Sequence, residues 1–182
     1  MRESDALYQL LKTTRGWVAV AYTDRGILAL TLPVETSARA LETLQDKVSF
    51  PLAQGQGYGK LARDLDRYFR GEAVSFNYPL DLTTATPFQQ RVWAALRGIP
   101  HGATQVYQEV AKMIGMPRAA RAVGQAVGAN PIPLLIPCHR VVASDGSLGG
   151  FAWGLTWKRH LLQVEGIAPA SKRWDCVEGR RW

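Results

Sequence analysis

Cysteine is scarce in this chain: 182 residues hold two, Cys138 in an apolar segment and Cys176 in a charged one. A disulfide between such different settings is not expected, and a reducing compartment suits both thiols. Histidine is nearly as scarce, with His101, His139 and His160 scattered along the sequence. Neither residue type occurs at the paired spacing of a zinc site, so no metal or other cofactor is expected. No apolar run approaches the roughly 20 residues that a bilayer span requires. The opening stretch "MRESDALYQL" contains acidic residues and no apolar heart of a signal peptide. What these absences leave is an intracellular, cytoplasmic protein without a membrane partner, long enough to bury a core in one domain or two small ones.

Charge is present, and its placement is uneven. Residues 1–85 carry ten Lys/Arg against ten Asp/Glu, whereas 86–182 carry twelve against five, so the whole formal excess of +7 lies in the second half. A neutral half followed by a basic half suits contact with a polyanion. A solvated basic face plus a basic tail would read the same way, since four of those twelve cations lie after residue 170.

Residues 16–32 read as two short strands joined at Asp24 to Gly26. A helix is expected over "SARALETLQDKV", a glycine-rich linker over "FPLAQGQGYG", and a second helix over "KLARDLDRYFRG" with Leu61, Leu65, Tyr68 and Phe69 on one face. The alternation of Val74, Phe76, Tyr78, Leu80 and Leu82 predicts a half-buried strand. At Thr86, Pro87 and Gln89 the pattern becomes that of a capping box opening a helix with the apolar stripe Phe88, Val92, Ala95 and Leu96. The expected fold is thus an α/β N-terminal domain, a small sheet with helices, over 1–85. A mostly α C-terminal domain follows over 86–166, and a basic tail over 167–182.

Within the second domain, "VYQEVAKMIGMPRAARAVGQAVG" (106–128) holds two helical patterns broken at Gly115, Met116 and Pro117. Val106, Val110, Met113 and Ile114 are expected to face inward on the first; Ala119, Ala122, Val123, Ala126 and Val127 on the second. The remaining stripe of the second helix carries Arg118, Arg121 and Gln125, as a helix-turn-helix presents to DNA. The run of small residues, Ala119, Ala120, Ala122, Gly124, Ala126, Gly128 and Ala129, allows close approach to a groove, and equally to a neighbouring helix.

Cys138 sits in "NPIPLLIPCHRVVASDG" (130–146), after a proline and before a histidine and an arginine. Lone cysteines in apolar runs are commonly inert core residues. Here Pro137 interrupts any strand ladder, and His139 and Arg140 turn the run polar at once. An isolated thiol with a pKa of about 8.5 is only a few per cent thiolate at neutral pH, so a reactive one needs a base. His139 is adjacent, but on an extended backbone neighbouring side chains point apart, and a bridging water or a bend would be required.

Together, "PCHRVV", the preceding "RAVG" and "NP" and the following "WGLTWKRHLLQVEG" resemble the O6-alkylguanine-DNA alkyltransferase family, also called methylated-DNA-protein-cysteine methyltransferases. The resemblance runs from about residue 14 to 166, is densest from Thr86 onward and is most specific at "IPCHRV". It implies a monomer that binds double-stranded DNA through the minor groove, flips an O6-alkylguanine out of the stack and moves the alkyl group irreversibly to Cys138. It further implies that His139, polarised by Glu165, generates the thiolate through a water, and that Asn130 is the hinge after the recognition helix. Arg121 is then the finger that replaces the flipped base, and Tyr107 helps rotate the nucleotide and donates to the departing guanine. Carbonyls around Cys138 and Val141 hold the guanine amine, and Lys158 matches the family's active-site lysine.

Two departures stand in the pocket loop. Phe151 replaces a common tyrosine, keeping the ring and losing the hydroxyl, which leaves the Ala152 N–H to serve the O6 atom; Trp153 bears on which alkyl groups fit. Three other readings compete: a non-catalytic alkylguanine sensor, whose relatives lack the cysteine; a regulator switched by methylation, which goes with a cysteine-rich sensor domain; and a cysteine hydrolase, for which Tyr107, Arg121 and Asn130 have no obvious use.

Overall fold

The structure, a computed structural model, describes residues 6–168. These divide into two compact units. One runs to Thr84 and takes in Pro131–Leu135; the other is made from Ala85–Asn130 and the chain from Ile136 on. Cys176 and all of the expected tail beyond Ala168 lie outside the described residues. Among the described residues no helix is long and apolar enough to cross a membrane.

The first unit is built on a sheet. Strands β1 (Leu7–Thr13), β2 (Gly16–Thr23) and β3 (Gly26–Leu30) form an antiparallel meander, and β4 (Ala53–Gln54) adds parallel to β1, giving the order β3-β2-β1-β4. The expected turn at Asp24 joins β2 to β3, with Thr23 paired to Gly26. Helix α1 (Ser37–Gln45) is capped by the Thr36 side chain, which accepts from the Arg39 N–H. Its Ala40 and Leu44 pack with Ala19, Ala21 and Leu28 of the sheet. Val18 and Val20, which the period of two sends to the opposite face, are fully buried as well, so both faces of β2 are covered. Helix α2 (Gly59–Phe69) packs along β1 and buries the predicted Leu61, Leu65, Tyr68 and Phe69.

The strand expected over 73–82 does not form. Val74, Phe76, Tyr78 and Leu80 do alternate with exposed neighbours, but the backbone bonds locally, from Asn77 N–H to Ser75 O and from Tyr78 N–H to Phe76 O, and Pro79 has no N–H to give. Only a bridge at Leu80 reaches β3, through Ile27. There the chain comes so close that a Cβ on Gly26 (φ +139°) would lie 2.4 Å from the Pro79 carbonyl. Conversely, β1 and β4 lie where no strand was expected.

The second unit is mostly helical. Helix α3 (Pro87–Arg97) opens with the predicted capping box, in which the Thr86 side chain takes the Gln89 N–H and the Gln89 side chain takes the Thr86 N–H. Such a cap contributes about 1 kcal/mol. Short β5 (Gln105–Val106) leads into α4 (Tyr107–Met113), and α5 (Ala120–Gly128) follows after a turn. Helices α3, α4 and α5 pack against one another, with the Trp93 indole N–H donating to the Ala126 carbonyl at 2.8 Å. One turn of 3-10 helix (Cys138–Arg140) runs straight into β6 (Val141–Val142), which pairs parallel with β5. The last element is α6 (Leu155–Val164). Ile167, placed in the tail by sequence, packs with Leu148 and Leu162.

One helical position departs from expectation. Met113 was expected to face inward; it is 52% exposed. Val110 and Ile114 are buried as expected, with Ala111 on the buried side in place of Met113.

Candidate active site

The chain leaves the second unit after Asn130 and returns at Ile136. Asn130 is buried and its side-chain amide closes that excursion, donating to the Ile136 carbonyl at 2.8 Å and to the Cys138 sulfur at 3.0 Å. Pro137 then turns the backbone (φ −78°, ψ 64°) into the 3-10 turn. The bend that adjacency of Cys138 and His139 called for is therefore present, because a 3-10 turn does not send neighbouring side chains to opposite faces as an extended strand does.

Cys138 is 4% exposed. Burial pushes its thiol pKa up, while the hydrogen bond from Asn130 and the positive charge of Lys158 pull it back. His139 is wholly enclosed, and its Nε2 lies 2.7 Å from Glu165 Oε1. Burial lowers the His139 pKa, the Glu165 carboxylate working against that trend. Burial likewise opposes ionisation of Glu165, but hydrogen bonds from His139 and Arg140 outweigh it and hold the carboxyl well below the usual range. An ionised carboxylate only accepts, so Nε2 carries the imidazole hydrogen, and in the neutral ring Nδ1 is the basic atom.

Arg140 is the residue that sequence reasoning left without a role. Its Nε and Nη2 donate to both oxygens of Glu165 at 2.9–3.2 Å and its Nη1 donates to the Ile99 carbonyl at 2.6 Å. The Gly102 N–H also donates to Glu165, at 3.1 Å. A cation two positions after a buried thiol was the available signal, since a guanidinium so placed must find a carboxylate.

Lys158, on α6, is fully buried. Its Nζ donates to the carbonyls of Val141 and Leu148, and to that of Gly150 at 3.2 Å. Burial pushes its pKa down to about 8, with the neighbouring Cys138 acting in the opposite sense. The segment it holds borders Tyr107: a Cβ on Gly149 (φ +66°) would lie 2.9 Å from the Tyr107 hydroxyl, so only glycine leaves room. Burial raises the Tyr107 pKa and a backbone hydrogen bond with Gly150 counters it. The Tyr107 ring also lies against Gly124 of α5, whose Cβ, if present, would meet it at 3.8 Å.

The structure thus gathers Asn130, Cys138, His139, Glu165, Val141, Lys158 and Tyr107 into one neighbourhood. Arg121 stands outside it, exposed on α5. Phe151, half-buried, and Ala152, exposed, lie in the loop leading to α6, also outside the hydrogen-bonded cluster. Among the described residues no group of three or more His, Cys, Asp and Glu is placed to hold a metal ion.

Comparison with known proteins gives the following. Residues 6–82 match the family model "6-O-methylguanine DNA methyltransferase, ribonuclease-like domain" and residues 87–167 match "6-O-methylguanine DNA methyltransferase, DNA binding domain". The chain is 52% identical over 107 residues to a methylated-DNA–protein-cysteine methyltransferase of Mycobacterium tuberculosis, an alignment spanning 58% of this chain and 64% of that one. To the protein of the same description from Methanosarcina acetivorans it is 48% identical over 109 residues, 60% of this chain and 69% of the other. In structure it is similar to Mycobacterium tuberculosis OGT in complex with DNA, with a TM-score of 0.73, 36% identity, and coverage of 92% of this chain and 98% of that one.

Proposed function

Because this chain belongs to the 6-O-methylguanine DNA methyltransferase family, we propose that it repairs DNA by direct reversal, taking the alkyl group of an O6-alkylguanine onto its own Cys138. The observation that carries this reading is the pairing of a buried thiol with its own means of ionisation. Asn130 donates to the sulfur, Lys158 supplies positive charge, and next in sequence stands a neutral imidazole fixed in one tautomer by Glu165.

In this reading His139 takes the Cys138 proton through a bridging water, using the nitrogen turned away from Glu165. The thiolate attacks the alkyl carbon in line; the S–C bond forms, the C–O6 bond breaks, and the electron pair stays with guanine. Tyr107 donates a hydrogen bond to the leaving base, a role supported by the Gly150 backbone bond, which occupies an acceptor site on the phenol and leaves its hydrogen to give. Val141 and neighbouring carbonyls hold the guanine amine, the Ala152 N–H serves O6, and the Phe151 ring walls the pocket. Lys158 braces the carbonyls of this segment. The product is a thioether, a poor leaving group, so each molecule acts once and no cofactor takes part.

The substrate in a duplex is unreachable while stacked, so the base must be flipped, with Arg121 filling its place from the minor groove. The basic charge of the second half of the chain supports a DNA partner. A monomer working in the cytoplasm, wherever DNA is reached, completes the proposal. The chain spans 64% of the length of the Mycobacterium tuberculosis relative it matches, so activity, substrate and partner are assigned here as proposals.

The test is intact-protein mass after incubation with excess duplex bearing one O6-methylguanine, beside a Cys138→Ser control. A gain of about one methylene that stops at one per molecule and is absent from the control is expected. Tight lesion-selective binding without mass change would instead make the protein a sensor, and product beyond one equivalent would make it a hydrolase.

A further inference from the structure

Three tyrosines of the first unit take no part in the reaction proposed for Cys138. Tyr22 stands on β2, Tyr58 just ahead of α2, and Tyr78 in the stretch over 73–82 that forms no strand. Their rings make a row: the centroids of Tyr22 and Tyr58 are 4.7 Å apart, and those of Tyr58 and Tyr78 6.2 Å. Tyr22 is buried, and Tyr58 and Tyr78 are half-buried. At one end of the row the Tyr22 hydroxyl donates to the Gln56 carbonyl at 2.8 Å. At the other, the Tyr78 hydroxyl donates at 2.7 Å to Oδ2 of Asp64, a buried carboxylate on α2.

The two ends differ in chemistry. A phenol that gives up an electron becomes a strong acid and must release its proton. An amide carbonyl is too weak a base to take it, and water is little better, whereas a carboxylate that already accepts the hydrogen bond takes the proton by a shift within that bond. Cations oppose the step: Lys60 Nζ lies 2.9 Å from Asp64 Oδ2 and 5.4 Å from the centre of the Tyr78 ring, and Arg67 Nη1 lies 3.9 Å from Asp64 Oδ1. Both side chains are at least half open to water, which screens them. Burial works against ionisation of Asp64, yet hydrogen bonds from Tyr78 and Lys60 hold its carboxyl below the ordinary range. Even there it is a far stronger base than water. Burial, and then the bond to Asp64, push the Tyr78 phenol well above its usual range, because a phenolate would face a carboxylate. The one hydrogen bond thus makes Tyr78 a poor phenolate and a good donor of an electron and a proton together.

We propose that Tyr78 is an oxidative modification site, at which small one-electron oxidants such as nitrogen dioxide are reduced while Asp64 takes the phenolic proton. Nitrogen dioxide leaves as nitrite, and a neutral tyrosyl radical remains. A second nitrogen dioxide adds at the ring carbon beside the oxygen. The hydrogen on that carbon passes as a proton to the oxygen, which gives nitrotyrosine, and Asp64 returns its own proton to water. An electron vacancy formed first on Tyr22 or Tyr58 reaches the same residue through the ring contacts. This site stands independently of the DNA-repair reading.

The test compares two nitrating reagents on the full chain, with nitration of each of the six tyrosines quantified by peptide mass spectrometry. Nitrogen dioxide, generated by radiolysis of nitrite, acts through the phenoxyl radical; tetranitromethane acts on the phenolate. With nitrogen dioxide, Tyr78 should take about threefold or more the nitration of Tyr22 or Tyr58, and its share should fall by about threefold or more with tetranitromethane. Asp64→Asn removes the proton acceptor and should lower the Tyr78 share with nitrogen dioxide by about threefold or more. Lys60→Met, at an exposed position, keeps the acceptor and removes an opposing charge, so it should raise that share about twofold. It decides the matter if circular dichroism shows that the Asp64 variant does not fold. A Tyr78 share that is the same with both reagents, unchanged in folded Asp64→Asn, or no higher in Lys60→Met overturns the proposal.

Discussion

The Asn130 amide donates to the Cys138 sulfur at 3.0 Å and to the Ile136 carbonyl at 2.8 Å, so the residue from which one excursion of the chain departs also favours ionisation of the thiol. Asn130→Leu keeps the volume and loses both donors. The pH dependence of Cys138 alkylation by iodoacetamide should shift to higher pH, because the removed bond is one of those lowering the thiol pKa. Stability, measured by urea unfolding, should fall by about 1–2 kcal/mol. An unshifted profile would leave Asn130 a purely structural hinge.

Arg140→Met removes three hydrogen bonds from the buried Glu165 carboxylate. Loss of one partner from a buried ion pair costs about 3–5 kcal/mol, readable in urea unfolding. Because the Arg140 charge is among the causes lowering the His139 pKa, the imidazole of the variant should titrate at higher pH, visible in its NMR shifts. The acid limb of alkyl transfer should move the same way. A uniform rate loss without that movement would reduce Arg140 to a brace.

Lys158 gives a stability signature with a definite sign. Its pKa is about 8 in the folded protein against 10.5 for the unperturbed group, so between those values the unfolded chain binds more protons. Its contribution to stability is therefore gained as pH rises from about 8 towards 10.5 and is lost as pH falls back through 8. Against Lys158→Met, the wild type should gain unfolding free energy across that window. A parallel pair of curves would refute the lowered pKa.

Arg121→Ala separates flipping from chemistry. Holding a base out of a duplex takes a few kcal/mol, so transfer from duplex O6-methylguanine should slow by roughly ten- to a hundredfold. Reaction with a free O6-substituted guanine should change far less, since Arg121 lies outside the Cys138 cluster. Equal losses in both assays would refute the finger role.

What the sequence made legible was local. The Thr86 capping box, the α1 helix, the α2 stripe and the Asp24 turn depend on residues within a few positions of each other. The misses depend on distant partners. Leu7–Thr13 is a strand because β2 and β4 flank it, and two-residue β4 exists only through its pairing with β1. Residues 73–82 alternate as a strand does, yet lack a neighbour with which to form a ladder. In the site, the residue types were readable around Cys138, but the guanidinium fork of Arg140 on Glu165 joins positions 25 apart. The exposure of Met113 beside the buried Val110 and Ile114 was not fixed by the periodicity of α4 alone.

The hydrogen bond from the Leu30 N–H to the Pro131 carbonyl at 2.9 Å sets a clock on assembly. Strand β3 leaves the ribosome about 100 residues before its partner, a wait of roughly 5–20 seconds at ordinary synthesis rates. The meander can pair early from neighbouring segments, but the first unit cannot finish until the helices encoded between them have emerged. A nascent chain halted short of Pro131 should hold a sheet with one edge still open, at the stage when chaperones and proteases meet it.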